Sequence, residues 1–355
     1  MVRARVPPYR TTVPEPSTPH IVVVTPVRNE AWILDRFLSV TSRFADRIIV
    51  ADQRSSDDSR AICLKYPKCT VIDNPTDEFN EGGRQLLLLR HARALVPEPR
   101  IILALDADEV LAADALPSRG WREMLAAPPG TIVCVERVDL YETPVRCMRH
   151  DRLTPLGYVD DGVAHAPRDM HSVRVPIPDY ASRLRLGDVA VLHYAALRPR
   201  ALASKLRWYS VVENVRRTCP WVFRRRLRYS RAGHVNFTGA GRIEPTPERW
   251  FRGWEALGID MRTVADDVYH WYDVDVLRFF REYGTRKFWL DDIWDFEWEA
   301  CRQDAQRRRL YGIPDAPVSA PPRALVEAMR GLSWVHRAQR RFRHRLTGRE
   351  APRFE

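Results

Sequence analysis

The chain has 355 residues, of which 45% are hydrophobic and 29% are charged, and this balance is typical of a globular protein with a substantial buried core. No apolar run in it approaches the ~20 residues that a membrane-spanning helix needs. The formal net charge of +11 favours polyanionic partners, which include nucleotide phosphates, nucleic acid and an anionic membrane surface.

The cysteines and the first residues bear on the compartment in which the protein works. The six cysteines are scattered and include no Cys-x-x-Cys pair, which argues against a zinc ribbon or a redox motif and favours reduced thiols. Residues 1–19 carry arginine and proline but no apolar segment of the kind found in secretory signals, so we expect an extended or disordered leader. We therefore predict a cytoplasmic protein, and the basic charge leaves peripheral contact with the inner face of the membrane open.

Strands and helices alternate over the first 105 residues. The predicted elements are a strand at residues 21–25, a helix that begins at Asn29 or Glu30, a strand at 47–51, a helix capped by Ser55 or Ser56, a short strand at 70–72, a helix at 80–96 and a strand at 101–105. This order, with its short connections, predicts an α/β fold with a doubly wound, mostly parallel sheet.

Polar residues follow three of these strands: residues 25–30, Asp52, and the pair Asp106 and Asp108. The carboxyl ends of parallel strands meet at one edge of the sheet, where open α/β sheets bind their ligands. Two acids at positions i and i+2 can bring oxygens to one Mg²⁺ ion, which typically keeps one or two protein carboxylates and takes substrate phosphates as further ligands. The sequence therefore predicts a nucleotide and metal site at this edge.

The glycine pattern argues against two other nucleotide-binding motifs. After the first predicted strand the chain contains neither Gly-x-Gly-x-x-Gly nor Gly-x-x-x-x-Gly-Lys-Ser/Thr, so neither a dinucleotide fold nor a P-loop is supported. Without a glycine-rich loop, the charge of a diphosphate must be met in another way, and a metal ion held by Asp108 would do so.

Several motifs of the chain occur together in a fixed order. They are Thr-Pro-Val-Arg-Asn-Glu at residues 25–30, Val-Ala-Asp at 50–52, Ser-Ser-Asp-Asp-Ser at 55–59, Arg84 in a predicted helix and Leu-Asp-Ala-Asp-Glu at 105–109. In order and spacing the set resembles family 2 glycosyltransferases of the GT-A fold, over about residues 20–115 and more loosely to about residue 214. The resemblance implies a metal-dependent, inverting transferase of a hexosyl or N-acetylhexosaminyl group, with a nucleoside diphosphate sugar, most commonly UDP-linked, as its donor.

The resemblance also implies roles for single residues. Residues near the base, ribose and phosphates of the donor would be Thr25, Val27, Glu30, Asp52, Arg84, Asp106 and Ala107. Among them, Asp52 would accept a hydrogen bond from the base and Asp106 would face the ribose. Asp108 would bind Mg²⁺ or Mn²⁺, and His193, at the end of a strand predicted at residues 187–194, would complete the metal shell.

An inverting transfer needs a base on the acceptor side to take the proton of the incoming hydroxyl. Related sequences carry a His-Glu or Glu-Asp pair there, whereas this chain reads Asp-Met-His-Ser at residues 169–172, so that Ser172 replaces the expected glutamate. The nearest alternatives are Asp160 and Asp161, which we take as the candidate catalytic residues. The Asp-Asp-Gly sequence in which they lie is equally compatible with a turn.

The last third of the sequence predicts helices rather than further strands of this type. Residues 201–215 have helical periodicity, and the aromatic residues between 279 and 298 predict core packing, with an acceptor platform or a subunit interface as alternatives. A proline-rich linker at 314–322 precedes a basic amphipathic helix, which would either pack on the domain or lie on anionic lipid.

The expected organisation is a leader at 1–19, a nucleotide-sugar half at 20–115, an acceptor half at 116–200, a helical extension at 201–313 and a linker with a basic helix at 314–355. Two other functions stay open: a nucleotidyltransferase, which also uses a strand-end acid pair with Mg²⁺, and an inactive GT-A-like protein that binds nucleic acid or an anionic membrane through its basic surface. No module for specific nucleic-acid recognition is evident. A small-molecule acceptor, an envelope glycan or lipid acceptor, and a homo-oligomer all stay open.

Overall fold

Parallel strands form the part of the sheet that comes first in the sequence. The computed structural model describes residues 18–168, 172–229 and 241–347, with side chains to residue 339. Its first strands are β1 (His20–Val27), β2 (Arg47–Asp52), β3 (Cys69–Asp73) and β4 (Arg100–Ala104), which lie in the order β4-β1-β2-β3 with all pairs parallel. Because helices cover both faces, the central strands are continuous apolar runs, and the predicted α/β class and parallel sheet are confirmed.

The rest of the sheet is mixed and extends it beyond β4. Its strands are β5 (Glu109–Leu111), β6 (Ile132–Tyr141), β7 (Thr143–Arg149), β8 (Thr154–Val159), β9 (Arg183–His193) and β10 (Arg242–Pro245). Strand β8 is antiparallel to β4 and to β6, β7 is antiparallel to β6, and β10 is antiparallel to β7. Strand β9 is parallel to β6 and antiparallel to β5, so the ends of β9 and β6 and the start of β5 lie side by side.

Two helical layers cover the sheet. The helices of the first 200 residues are α1 (Ala31–Thr41), α2 (Ser59–Cys63), α3 (Glu81–Leu95) and α4 (Arg119–Leu125). Helix α1 buries Ile33, Leu34 and Phe37 in the same hydrophobic cluster as Trp121 of α4. Helix α3 covers the other face, where Leu88 and Leu89 pack beside Val22 of β1, so each face of the strands contributes to a core.

The C-terminal third consists mainly of helices that share a separate core. They are α5 (Pro199–Arg216), α6 (Val222–Tyr229), α7 (Arg249–Glu255), α8 (Trp271–Tyr283), α9 (Trp298–Arg307) and α10 (Arg323–Thr347). Trp208 of α5, Phe280 of α8 and Trp298 of α9 are at most 4% exposed and belong to one cluster. The prediction that the aromatic residues between 279 and 298 build core is confirmed for this cluster. No helix in the described ranges is long and apolar enough to cross a membrane.

Several element boundaries differ from the sequence prediction. Helix α2 begins at Ser59 after Asp58, and not after Ser55 or Ser56. The hydroxyl of Ser55 instead accepts a hydrogen bond from the backbone N–H of Asn29 at 3.0 Å, so it joins the β1–α1 loop to the loop after β2. The predicted leader falls largely outside the described residues, and the predicted domain limits stay predictions.

Candidate functional site

A pocket lies where β1, β2 and β4 end, as the strand order requires. Six of the residues predicted for the site line it, namely Val27, Glu30, Arg84, Asp106, Ala107 and Asp108. Arg84 extends from the first turn of α3 and its guanidinium lies 5.2 Å from the ring centre of Phe79. The Nε atom of Arg84 is buried and has no hydrogen-bond partner among the described residues, so part of its donor capacity is available to a ligand.

Asp108 and His193 come together because β5 pairs with β9. The Nε2 atom of His193 lies 3.5 Å from Oδ2 of Asp108, and the backbone N–H of Tyr194 donates to the carbonyl of Asp108 at 2.9 Å. The Nδ1 atom of His193 lies 2.5 Å from a carboxylate oxygen of Asp139 on β6. Asp139 thereby fixes the ring so that Nε2 faces Asp108.

The charges of this pair reinforce each other. Burial and Arg137 oppose protonation of His193, but Asp108 and Asp139 raise its pKa to about 9. Burial likewise opposes ionisation of Asp108, yet His193 lowers the pKa of that carboxyl below its usual range. The pair therefore consists of an anionic carboxylate and a cationic imidazole at neutral pH, and a divalent cation would replace the imidazole proton.

A second set of ion pairs fixes the neighbouring acids. Glu109 is fully buried, its carboxylate accepts a hydrogen bond from the backbone N–H of Asp106 at 3.0 Å, and it forms a close ion pair with Arg174. Arg174 also donates to Oδ2 of Asp106 at 2.7 Å. Arg174, which precedes β9, thus holds Asp106 in place, while Asp108 faces the pocket and His193.

The residues present fit a hard divalent cation. Asp108 offers a carboxylate oxygen, and His193 offers an imidazole nitrogen whose other nitrogen is held by a carboxylate, an arrangement usual for metal-binding histidines. The described residues contain no group of three or more His, Cys, Asp or Glu side chains that could hold a metal ion on their own. The protein would therefore supply two ligands, and phosphate oxygens and water would supply the others, as is usual for Mg²⁺.

Two predicted residues lie behind the pocket wall. Thr25 is fully buried and its hydroxyl has no hydrogen-bond partner among the described residues. Asp52 is 7% exposed, and its carboxylate accepts from the backbone N–H of Ser55 at 3.2 Å and lies 3.4 Å from Arg60. Gln53, the next residue along, lines the pocket in its place.

The structure contradicts the prediction that Asp160 or Asp161 is the catalytic base. The N–H of Asp160 bonds to the carbonyl of Arg100, at the start of β4, whereas Asp106 follows the end of that strand, about 15–20 Å away at ~3.3 Å per residue. The carboxylate of Asp160 is fully buried between Arg93 and Arg100. Residues 160–162 form an irregular connection after β8, in which Gly162 has a positive φ of 80°.

The acceptor-side segment is described only in part, because residues 169–171 lie outside the described residues. The backbone N–H of Ser172 donates to Glu81 of α3 at 3.0 Å. Arg174, two residues later, reaches Asp106, so the described end of this segment lies beside the candidate site.

Sequence reasoning missed the wall that the helical extension adds to the pocket. This wall consists of Lys205, Trp208 and Tyr209 from α5 and Trp271 and Tyr272 from α8. Lys205, Trp208 and Tyr209 stand at positions i, i+3 and i+4, which places them on one side of a helix. That spacing was available in the sequence, but only the fold shows that this side of α5 faces the strand ends.

The extension and the strand loops close on the pocket tightly. The guanidinium of Arg28 in the β1–α1 loop lies 4.2 Å from the ring centre of Trp271, and Phe79 packs edge-on against Trp208 with ring centres 4.9 Å apart. The pocket has a volume of about 80 Å³, which is less than the roughly 300 Å³ of typical ligand pockets. A nucleotide sugar would require side chains of this wall to move apart.

A larger cavity lies elsewhere and contains none of the predicted site residues. Its volume is about 730 Å³, and residues of α1 and of the segment 257–265 line it, including Arg36, Ser39 and Asp260. It is open to solvent and lies away from the acids that follow β4, so the smaller pocket is the candidate functional site.

Comparisons with solved structures show low similarity. A glucosyl-3-phosphoglycerate synthase from Mycobacterium tuberculosis, in complex with Mn²⁺, uridine diphosphate and glucosyl-3-phosphoglycerate, is 15% identical with a TM-score of 0.31, and the match covers 52% of this chain and 78% of that chain. A 4-diphosphocytidyl-2C-methyl-D-erythritol synthase is 18% identical with a TM-score of 0.27, and the match covers 33% of this chain and 60% of that one. No curated protein matches the chain.

A comparison with family models gives a direct result. The model described as glycosyl transferase family 2 matches residues 22–192. The matched segment runs from β1 to the end of β9 and contains the motifs at residues 25–30, 50–59 and 105–109 on which the resemblance depended. This segment, slightly under half of the chain, is similar to glycosyl transferase family 2.

Proposed function

We propose that the protein transfers a sugar from a nucleoside diphosphate sugar, with UDP favoured as the nucleotide, to an acceptor nucleophile with inversion at the anomeric carbon. The observation that carries the proposal is the juxtaposition of Asp108 and His193, 3.5 Å apart, at a pocket where three parallel strands end. The match of residues 22–192 to the family model supports glycosyl transfer, and the polar residues of the pocket support a phosphorylated donor.

In this proposal, separate residues would bind separate parts of the donor. Val27 and Gln53 line the side formed by β1 and β2, which suits the base and ribose. Arg84 supplies a guanidinium from the first turn of α3, and guanidinium groups bind phosphate oxygens well. Asp106, held by Arg174 at 2.7 Å, keeps its other carboxylate oxygen available to a ribose hydroxyl.

Asp108 and His193 would hold Mg²⁺ or Mn²⁺, which when bound stabilises the charge that develops on the departing diphosphate. Asp139 orients the ring of His193, and the pairing of β5 with β9 fixes the backbone of both residues. The aromatic side chains of α5 and α8 exclude water from this side of the pocket. Exclusion of water strengthens electrostatic interactions within a site.

A thermal-shift panel of nucleoside diphosphates, with and without Mn²⁺, tests the proposal. A ligand that binds only the folded state stabilises it by RT ln(1 + [L]/Kd), about 2.7 kcal/mol at 100 times Kd. We expect UDP to raise the Tm when Mn²⁺ is present, and to raise it much less after Asp108→Ala. Exposed Asp179 provides the matched control, since Asp179→Ala should respond as the wild type does.

The outcomes of the panel separate the alternatives. No stabilisation by any nucleoside diphosphate, with or without Mn²⁺, would overturn the proposal. Stabilisation by a nucleoside triphosphate, with release of pyrophosphate on turnover, would indicate a nucleotidyltransferase instead. A glycosyltransferase releases the nucleoside diphosphate and no pyrophosphate.

A further inference from the structure

Lys205 places a positive charge at the acids that follow β4. It lies on α5, outside the segment that matches the family model, and lines the pocket together with Asp106 and Asp108. Within the described residues it makes no hydrogen bond or ion pair. A partly buried ammonium in this position has lost hydration without gaining a close partner, which is costly unless a ligand completes its surroundings.

The surroundings of Lys205 keep it charged. Tyr272 has the largest effect and raises the pKa of Lys205, burial opposes this, and Tyr209, Asp108 and Asp106 raise it further. The ammonium is therefore positive at any pH at which the protein is folded, and it carries donors but no acceptor. An anionic ligand would balance this charge and accept the hydrogen bonds of the ammonium.

The helix that carries Lys205 is fixed in position. The carboxylate of Asp266 accepts hydrogen bonds from the backbone N–H groups of residues 200 and 201, at the start of α5. Trp208, one turn after Lys205, is 2% exposed, and its indole N–H donates to Asp275 of α8 at 2.7 Å. These contacts fix the backbone of α5 beside the pocket, which Lys205 lines.

We propose that Lys205 binds the diphosphate of the donor nucleotide, so that the helical extension completes a site that the family 2 segment only begins. The inference deepens the proposed function and rests on it. Asp106 and Asp108 bring two negative charges to the place where a diphosphate would bring more. Lys205 would offset that charge next to the metal ligands, and it would stabilise the leaving group as the bond to the sugar breaks.

Another explanation of Lys205 is that it only neutralises Asp106 and Asp108. The two explanations differ in which ligands should bind more weakly when the charge of Lys205 is removed. A diphosphate-binding lysine affects ligands in proportion to the phosphates they carry, and leaves the bare nucleoside unaffected. A lysine that only organises the acids alters the pocket for every ligand alike.

The decisive experiment compares uridine, UMP and UDP as ligands of the full chain in the presence of Mn²⁺, by titration calorimetry. In Lys205→Met we expect the affinity for UDP to fall about 10- to 100-fold, as for loss of a charge-assisted hydrogen bond, while the affinity for uridine changes less than about twofold. Lys205→Arg retains the charge and should recover most of the affinity for UDP.

Lys287→Met is the matched control, since Lys287 lies in the same extension over the ring of Tyr283 and away from the pocket. It should bind all three ligands as the wild type does.

An equal loss for uridine and UDP in Lys205→Met, or no loss for either, would overturn the inference while the binding of UDP by the wild type still supports the proposed function. Failure of the wild type to bind UDP would instead overturn the proposed function. If Lys205→Met does not fold, Lys205→Gln takes its place in the same comparison.

Discussion

Buried carboxylates lie at both ends of β4, and the two groups differ in what surrounds them. At the start of the strand, Asp160 is fully buried and protein donors from Arg93 and Arg100 occupy both of its oxygens. At the other end, the side chain of Asp108 is 17% exposed and lines the pocket, and that of His193, 16% exposed, lies next to it. Two acids that look alike in sequence thus separate into a group saturated by protein partners and a group open to a ligand.

We call the start of β4, where Arg93 and Arg100 saturate Asp160, the closed end, and the other end, where Asp108 lines the pocket, the open end. The closed end should contribute more to the stability of the fold. Asp160→Ala leaves the guanidinium groups of Arg93 and Arg100 without their carboxylate, and breaking a buried ion pair in this way costs about 3–5 kcal/mol. Urea denaturation should show this as a lower midpoint with an unchanged slope. At a temperature where the variant stays folded, it should bind UDP with Mn²⁺ as the wild type does.

Normal stability of Asp160→Ala together with a loss of nucleotide binding would contradict the structural role of Asp160. Arg119→Ala provides the control, because Arg119 pairs with Glu123 at an exposed position. Such exposed pairs contribute about 0–1 kcal/mol, so the midpoint for Arg119→Ala should stay close to that of the wild type.

The open end should show the reverse pattern. Asp108→Ala removes one of two protein ligands proposed for the metal, so we expect turnover of the donor to fall at least about 100-fold, since even partners that only support a ligand are worth 10- to 100-fold. The free energy of unfolding without ligand should fall less than in Asp160→Ala, because His193 keeps Asp139 as its partner. A variant that keeps its turnover would exclude Asp108 from the metal site.

Asp139 tests how the open end is held. Asp139→Asn keeps the size of the side chain but weakens its hold on Nδ1 of His193, at 2.5 Å in the structure. The apparent affinity for Mn²⁺ should fall about 10-fold, measured by titration of the metal-dependent UDP response, while the affinity for uridine alone stays unchanged. Equal affinities for Mn²⁺ in both proteins would show that Asp139 does not position the ligand.

Glu30, which lines the pocket, should make the stability of the fold depend on pH. Burial, together with the negative charge of Asp108, raises the pKa of Glu30 to about 8. A carboxyl whose folded pKa is raised stabilises the fold fully only below its unfolded pKa of about 4.5, and this contribution is lost as the pH rises through 8. Glu30→Gln should therefore be more stable than the wild type at pH 9, on the order of 1 kcal/mol, with the difference smaller at pH 6.

The measurement for Glu30 is the free energy of unfolding at the two pH values, without ligand. Glu297→Gln, at the residue that precedes α9, is the control for a lost carboxylate outside the pocket. If Glu30→Gln is less stable than the wild type at both values, then Glu30 belongs with the acids that stabilise the fold.

The sequence predicted the first sheet and much of the pocket because these follow from local rules. Apolar runs of four or five residues predicted β1, β2 and β4, and the acids that follow them line one edge because parallel strands end together. The sequence could not place Asp160, since its position depends on β8 running antiparallel to β4, a pairing between residues about 60 positions apart. The sequence also could not show that α5 covers the pocket, because this contact too joins residues that are far apart in the chain.

Asp161 should give the smallest effect, because it is neither closed off nor part of the pocket. Its exposed carboxylate accepts hydrogen bonds from the hydroxyl groups of Tyr158 at 2.8 Å and Tyr180 at 2.7 Å. Burial opposes ionisation, but these hydrogen bonds lower the pKa of Asp161, so its contribution to stability is present above the unfolded pKa and lost as the pH falls through the folded pKa.

Asp161→Asn should therefore lose no more than about 1 kcal/mol at pH 7, and the difference from the wild type should shrink in acid. Turnover of the donor should be unchanged, since Asp161 follows Asp160, which lies at the start of β4 and not at its end. A loss of turnover without a loss of stability would return Asp161 to the list of candidate bases. It would also mean that the acceptor reaches the far end of the strand, which the separation of the two carboxylate groups argues against.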